Sequence, residues 1–143
     1  MIRICFICLG NICRSPMAEF IMKDKVNKLG LADKFLIESK ATSYEESGND
    51  IHYGTRRILD LNNIPYSSRK STRVEESDLD KFDYFICMDS SNVRNLTNIL
   101  GDSSKVFKLL DRDVADPWYT GNFEITYNDL VEGIDLLINK INS

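Results

Sequence analysis

The stretch Cys8-Leu9-Gly10-Asn11-Ile12-Cys13-Arg14-Ser15 sets a thiol and a guanidinium at C-x5-R spacing, with Pro16 directly after it. The apolar run Ile2-Arg3-Ile4-Cys5-Phe6-Ile7 ahead of it reads as a buried first strand. Ser15 is a good helix N-cap, and Pro16 suits the first helical position. A strand, a tight loop and a helix N-terminus together make a socket for a tetrahedral oxyanion. Gly10 and Asn11 are the residue types that best tolerate the left-handed backbone such a loop needs. In that socket the N–H groups from Leu9 to Arg14 would point inward, and Arg14 would grip two oxygens as a planar fork. Cys8 would then stand where it can attack the central atom. An unassisted thiol is mostly protonated at neutral pH, but a helix N-terminus and an adjacent arginine both favour the thiolate.

Displacing an ester oxygen also needs a proton for the leaving group. Asp116 is the candidate, in Asp111-Arg112-Asp113-Val114-Ala115-Asp116-Pro117-Trp118-Tyr119. Pro117 biases Asp116 toward an extended conformation and so holds its carboxyl on a loop at the rim of the site. Trp118 and Tyr119 would form an apolar wall for an aromatic leaving group and desolvate the carboxyl, keeping a proton available. Cys13, inside the same loop, has two readings that stay open. It is either an apolar filler or a redox partner that shelters Cys8 as a reversible disulfide. Cys5 and Cys87 lie in apolar runs and read as core.

The positioning elements follow from periodicity. Phe35-Leu36-Ile37, Tyr84-Phe85-Ile86-Cys87-Met88 and Val106-Phe107-Lys108-Leu109-Leu110 read as further strands, short and apolar as in a parallel sheet covered on both faces. Helical stripes lie between them: Ala18, Met22, Val26, Leu29; Ile51, Gly54, Ile58, Leu61; and Val93, Leu96, Leu100 with Ser90 or Ser91 as cap. The clearest stripe is C-terminal, through Tyr127, Leu130, Val131, Ile134, Leu137, Ile138 and Ile141. Alternating β and α predicts a doubly wound α/β fold, one domain over residues 1–143, with four parallel strands in the order 2-1-3-4. That order puts a switch point beside strand 1, where ligands bind outside the carboxyl ends of the strands. The Cys8 loop ends strand 1 and Asp116 follows strand 4, so both fall on one edge.

The 143 residues fit one domain, and a net charge of −4 disfavours nucleic acid as a partner. Arg56, Arg57, Arg69, Lys70 and Arg73 read as solvated surface, as does the lone His52. No cysteine, histidine or acidic cluster has metal-ligand spacing, and the chemistry requires neither metal nor cofactor. No apolar run is long enough to span a bilayer or to act as a signal sequence, which predicts a cytoplasmic protein without a membrane partner.

The segments CLGNICRSPMAE (Cys8 to Glu19), FDYFICMD (Phe82 to Asp89) and DPW (Asp116 to Trp118) resemble the low-molecular-weight protein tyrosine phosphatase family over the whole chain. The resemblance implies a phosphatase I-like fold, a phosphotyrosine-containing protein as substrate and a monomer. It implies that Cys8 forms a phospho-cysteine intermediate, that Arg14 binds phosphate and that Asp116 acts first as acid and then as base. Ser15 would donate to the Cys8 sulfur, and Asn11 would hold the strained loop with Ser39 behind it. Asp89 would support the site from the rear, and Tyr44 would wall the substrate. Two features depart from the family pattern. Trp118 stands where many members have the first of two tyrosines, and Ser67-Ser68 stand where eukaryotic members often have a supporting histidine. Alternatives are a protein-arginine phosphatase, whose members carry Thr where Ile12 stands, an arsenate reductase, for which the chain is one thiol short, and a non-catalytic phosphate-binding module.

Overall fold

The computed structural model describes residues 1–142. Four strands form one parallel sheet: β1 (Ile2–Cys8), β2 (Phe35–Ala41), β3 (Tyr84–Cys87) and β4 (Val106–Lys108), in the order β2-β1-β3-β4. The predicted strand order therefore holds. Among the described residues five α-helices connect and follow them: α1 (Arg14–Lys28), α2 (Tyr53–Leu61), α3 (Ser90–Leu100), α4 (Pro117–Thr120) and α5 (Phe123–Asn142).

The sheet separates two apolar clusters. On one face Ile4, Phe6 and Ile86 pack with Met17, Ile21 and Met22 of α1 and with Leu130, Ile134 and Ile138 of α5. On the other, Cys5, Ile7, Phe85 and Cys87 pack with Leu96 and Leu100 of α3. Central strand β1 is buried on both faces, which is why it reads as an unbroken apolar run. Edge strand β2 alternates instead, with Phe35, Ile37, Ser39 and Ala41 inward and Leu36 and Glu38 exposed. It therefore runs past the predicted Phe35-Leu36-Ile37, in register with β1 from Ile2↔Phe35 to Cys8↔Ala41.

Other element ends also move. Helix α1 begins at Arg14, so Cys13 is its N-cap, and the Ser15 hydroxyl is free for another partner. Asp89 caps α3 in place of Ser90 or Ser91: its side chain accepts from Asn92 N–H, and the Asn92 side chain accepts in return. In α2 the buried positions are Gly54, Thr55 and Leu59, and Leu61 faces solvent. Of the predicted stripe, Ile51 and Gly54 are buried and Ile58 packs against the core, while Leu61 gives way to Leu59; Ile51 lies ahead of the helix, with His52 as N-cap.

Candidate active site

The Cys8 loop is built by what holds its carbonyls. Thr42 N–H donates to Cys8 O and Ser43 N–H to Leu9 O, at 3.1 Å each. The Ser71 hydroxyl donates to Gly10 O at 2.7 Å and Arg69 Nη1 to Asn11 O at 3.3 Å. His52 N–H donates to Ile12 O at 2.9 Å and the Thr55 hydroxyl to Cys13 O at 3.2 Å. Every carbonyl from residue 8 to residue 13 is thus tied outward. In a trans peptide the next N–H points opposite to the C=O, so the N–H groups of residues 9–14 turn toward the pocket. Asn11 alone takes the left-handed conformation there, with φ 58°. Gly10 serves by close approach instead: a Cβ on it would lie 3.2 Å from Glu46 Cγ.

Cys8 is 4 % exposed at the floor of a pocket of about 250 Å³. Its sulfur accepts from Asn11 N–H at 3.2 Å and lies 3.0 Å from the Ser15 hydroxyl. Such donors stabilise a negatively charged sulfur. The other thiols are in a different condition. Burial, then the neighbouring Cys8 and Asp116, push the Cys13 thiol up to about 12. Burial holds the Cys5 and Cys87 thiols protonated as well, each within the second apolar cluster. All four cysteines are free.

Arg14 lies almost wholly buried beside Cys8 and is gripped from three sides. Its Nη1 donates to Val114 O at 3.1 Å, and its Nη2 donates to Asp89 Oδ2 at 2.9 Å. The same Nη2 lies 3.4 Å from Asp116 Oδ2. Asp89 therefore joins two tasks: one oxygen caps α3 and the other aims Arg14. Asp116 is likewise an N-cap, its Oδ1 accepting from Trp118 N–H at 3.0 Å at the start of the short helix α4. A loop was expected at that point; Pro117 and the Asp116 cap make it one turn of helix.

The pocket is also lined by Leu9, Gly10, Ile12 and Cys13 of the loop and by Trp118, Tyr119, Glu45 and Glu46. Trp118 and Tyr119 are 69 % and 86 % exposed, so the desolvating wall expected around Asp116 is thin, and the Asp116 carboxyl is positioned by Trp118 N–H and by Arg14. Tyr44, the expected substrate wall, lies outside this lining. Its ring instead carries the Arg73 guanidinium, 4.8 Å from the ring centroid.

Behind the loop lies a polar chain. The Asn11 amide nitrogen donates to the Ser15 hydroxyl at 2.6 Å and to the Ser39 hydroxyl at 3.0 Å. Ser39 donates in turn to Glu19 Oε1 at 2.5 Å. Arg69, read from sequence as surface, closes the chain: Nη2 donates to Asn11 Oδ1, and the side chain stands 3.9 Å from Glu19. Glu19 and Arg69 were missed. The one available signal for Glu19 was its place one helical turn after Ser15, which keeps it on the same face of α1. His52, also read as surface, serves the loop: its backbone braces Ile12, and its ring stacks on Tyr53 and on Phe123.

Comparison with known proteins finds relatives over nearly the whole chain. The model of the low molecular weight phosphotyrosine protein phosphatase family matches residues 3–143. The chain is 41 % identical to the low molecular weight protein-tyrosine-phosphatase YfkJ of Bacillus subtilis, over 99 % of this chain and 96 % of that one. It is also 41 % identical to PtpA of Staphylococcus epidermidis, over 99 % and 94 % of the two chains. The crystal structure of the low molecular weight protein tyrosine phosphatase SP-PTP from Streptococcus pyogenes superposes with a TM-score of 0.94 at 44 % identity, over 100 % of this chain and 95 % of that one.

Proposed function

This chain belongs to the low molecular weight phosphotyrosine protein phosphatase family, and on that premise we propose that it hydrolyses phosphotyrosine monoesters on proteins in two steps at the Cys8 pocket. The substrate phosphate takes the inward N–H groups of residues 9–14 and the fork of Arg14. The Cys8 thiolate attacks phosphorus. An S–P bond forms as the bond to the phenolic oxygen breaks, and Asp116 gives its proton to that oxygen. The phosphoryl group then rests on sulfur as phospho-cysteine. Asp116, now a carboxylate, takes a proton from water whose oxygen attacks phosphorus. An O–P bond forms, the S–P bond breaks, and inorganic phosphate leaves with the thiolate restored. Positioning and charge stabilisation supply most of the catalysis in such a loose, anionic transition state.

The observation that carries this reading is the convergence of Cys8, Arg14 and Asp116 on one pocket, with Asp116 held over the loop by Arg14. The pocket is complete within one chain, which supports a monomer as the working form. A thiolate nucleophile suits a reducing compartment, and the cytoplasm is the proposed location. Among the described residues no helix is long and apolar enough to cross a membrane.

Hydrolysis of an aryl phosphate without added metal tests the reading, with wild type, Cys8→Ser and Asp116→Asn side by side. Asn keeps an oxygen for the α4 cap but has no proton to give, so this substitution isolates the acid step. The expectation is turnover by wild type, none by Cys8→Ser, and a loss of about 10²–10⁴-fold for Asp116→Asn. Full activity in either variant overturns the assigned roles.

A further inference from the structure

We infer that Arg69 is a positioning residue that sets the direction of the hydrogen-bond chain ending on the Cys8 sulfur; this rests on the reading of Cys8 as the nucleophile. The chain has two ends whose polarity cannot reverse. A guanidinium only donates, and an ionised carboxylate only accepts. Arg69 donates to Asn11 Oδ1, so the Asn11 amide cannot flip, and its NH2 must face Ser15 and Ser39. Ser39 spends its own proton on Glu19 and has its oxygen free to accept from Asn11. The Ser15 oxygen accepts from Asn11 at 2.6 Å, which leaves its hydroxyl proton for the sulfur 3.0 Å away.

With the amide reversed, Asn11 would present an oxygen to Ser15. Ser15 would then donate to Asn11, and the thiolate would lose a donor. Burial makes the directed chain count: Asn11 and Ser15 are fully buried, and Ser39 and Glu19 almost so. Arg69 also donates to Asn11 O and Ser39 O, so the same side chain steadies the one left-handed residue of the loop. Its own backbone is fixed by Asp50, which accepts from Arg69 N–H and from the Ser68 hydroxyl. The Ser68 hydroxyl is turned to Asp50, and the residue that follows it reaches Asn11.

The test is the rate of Cys8 alkylation by iodoacetate across pH, with the modified cysteine located by fragment mass spectrometry. It is read on wild type, Arg69→Met, Arg69→Leu and Arg69→Lys. Arg69→Met keeps bulk but loses every donor, and its Cys8 should react about ten-fold more slowly at pH 6 and recover as pH rises. Arg69→Lys still only donates and should stay near wild type. Arg69→Leu likewise has no donor and should behave as Arg69→Met does, which keeps the test open if that variant fails to fold. A folded Arg69→Met or Arg69→Leu protein with the wild-type profile overturns the inference, as does an Arg69→Lys protein no better than Arg69→Met. Because alkylation needs no turnover, a wild type inactive on aryl phosphate would defeat the phosphatase reading separately.

Discussion

Individual residues at this site are distinguished by their partners more than by their type. Four cysteines share one small domain, yet only the Cys8 sulfur receives both a loop N–H and a hydroxyl. Cys13 is five residues away on the same loop, but burial and the adjacent Cys8 and Asp116 push its thiol up to about 12. At pH 7 the expected result of limiting iodoacetamide is modification of Cys8 and not Cys13, checked by fragment mass spectrometry; equal labelling would show that burial does not protect Cys13. Ile12 is an apolar residue among those that line the pocket, which supports an aryl leaving group over a guanidinium. An Ile12→Thr variant should gain activity on phosphoarginine peptides relative to phosphotyrosine peptides. No change in that ratio would remove Ile12 as the discriminating position.

Among the elements, helix ends do two jobs at once. The α3 cap and the Arg14 anchor are the two oxygens of one carboxylate, Asp89. Asp89→Ala should therefore lower stability by about 1 kcal/mol through the lost cap and also weaken inhibition by inorganic phosphate, because Arg14 is no longer aimed. A stability loss with unchanged phosphate inhibition would separate the two roles. The segment behind the loop is pinned by Asp50, whose carboxyl lies below its ordinary value because Arg69 N–H, then Ile51 N–H, then the Ser68 hydroxyl donate to it. A carboxyl depressed in the folded state contributes stability above its unfolded value, and that contribution is lost as pH falls through the lower folded value. The Asp50 contribution is thus complete above about pH 4 and fades below it. Asp50→Asn retains an acceptor without the charge, so its melting temperature should fall less steeply than that of wild type below pH 4. Parallel acid limbs would show that Asp50 is not a source of the acid sensitivity.

For the whole molecule, one sheet edge gathers the site while two apolar layers hold that edge still. Helix α5 closes the larger layer, and it does so at Gly133, where an added Cβ would lie 2.5 Å from Leu109 Cγ. That contact is with the branch point of a side chain, so it cannot be relieved by a small rotation of a flexible end. Gly133→Ala should cost about 1–3 kcal/mol in unfolding free energy, with little change in aryl phosphate turnover, because the clash lies away from the Cys8 pocket. Denaturant melts would check this, and an unchanged midpoint would mean that α5 shifts freely on the sheet.

The sequence alone pointed to the strand order and to a loop and an Asp-Pro turn whose Cys8, Arg14 and Asp116 line one pocket in the fold, because alternating elements leave few topologies and the rest are local signals. An unbroken apolar run marks a strand buried on both faces, C-x5-R between strand and helix marks an anion loop, and Asp-Pro marks a fixed carboxylate. Edge strand β2 was legible only in part, since its outward Glu38 and Lys40 mask the inward alternation that brings Ser39 to the loop. Tertiary structure decided the rest. Arg69 lies 58 residues from Asn11, and no periodicity or motif connects a cation in a polar segment with an amide in a distant loop. The same holds for His52 and Ile12, Ser71 and Gly10, and Thr55 and Cys13. The carbonyls of a tight loop must find donors wherever the chain packs against them, and that packing is a property of the folded chain as a whole.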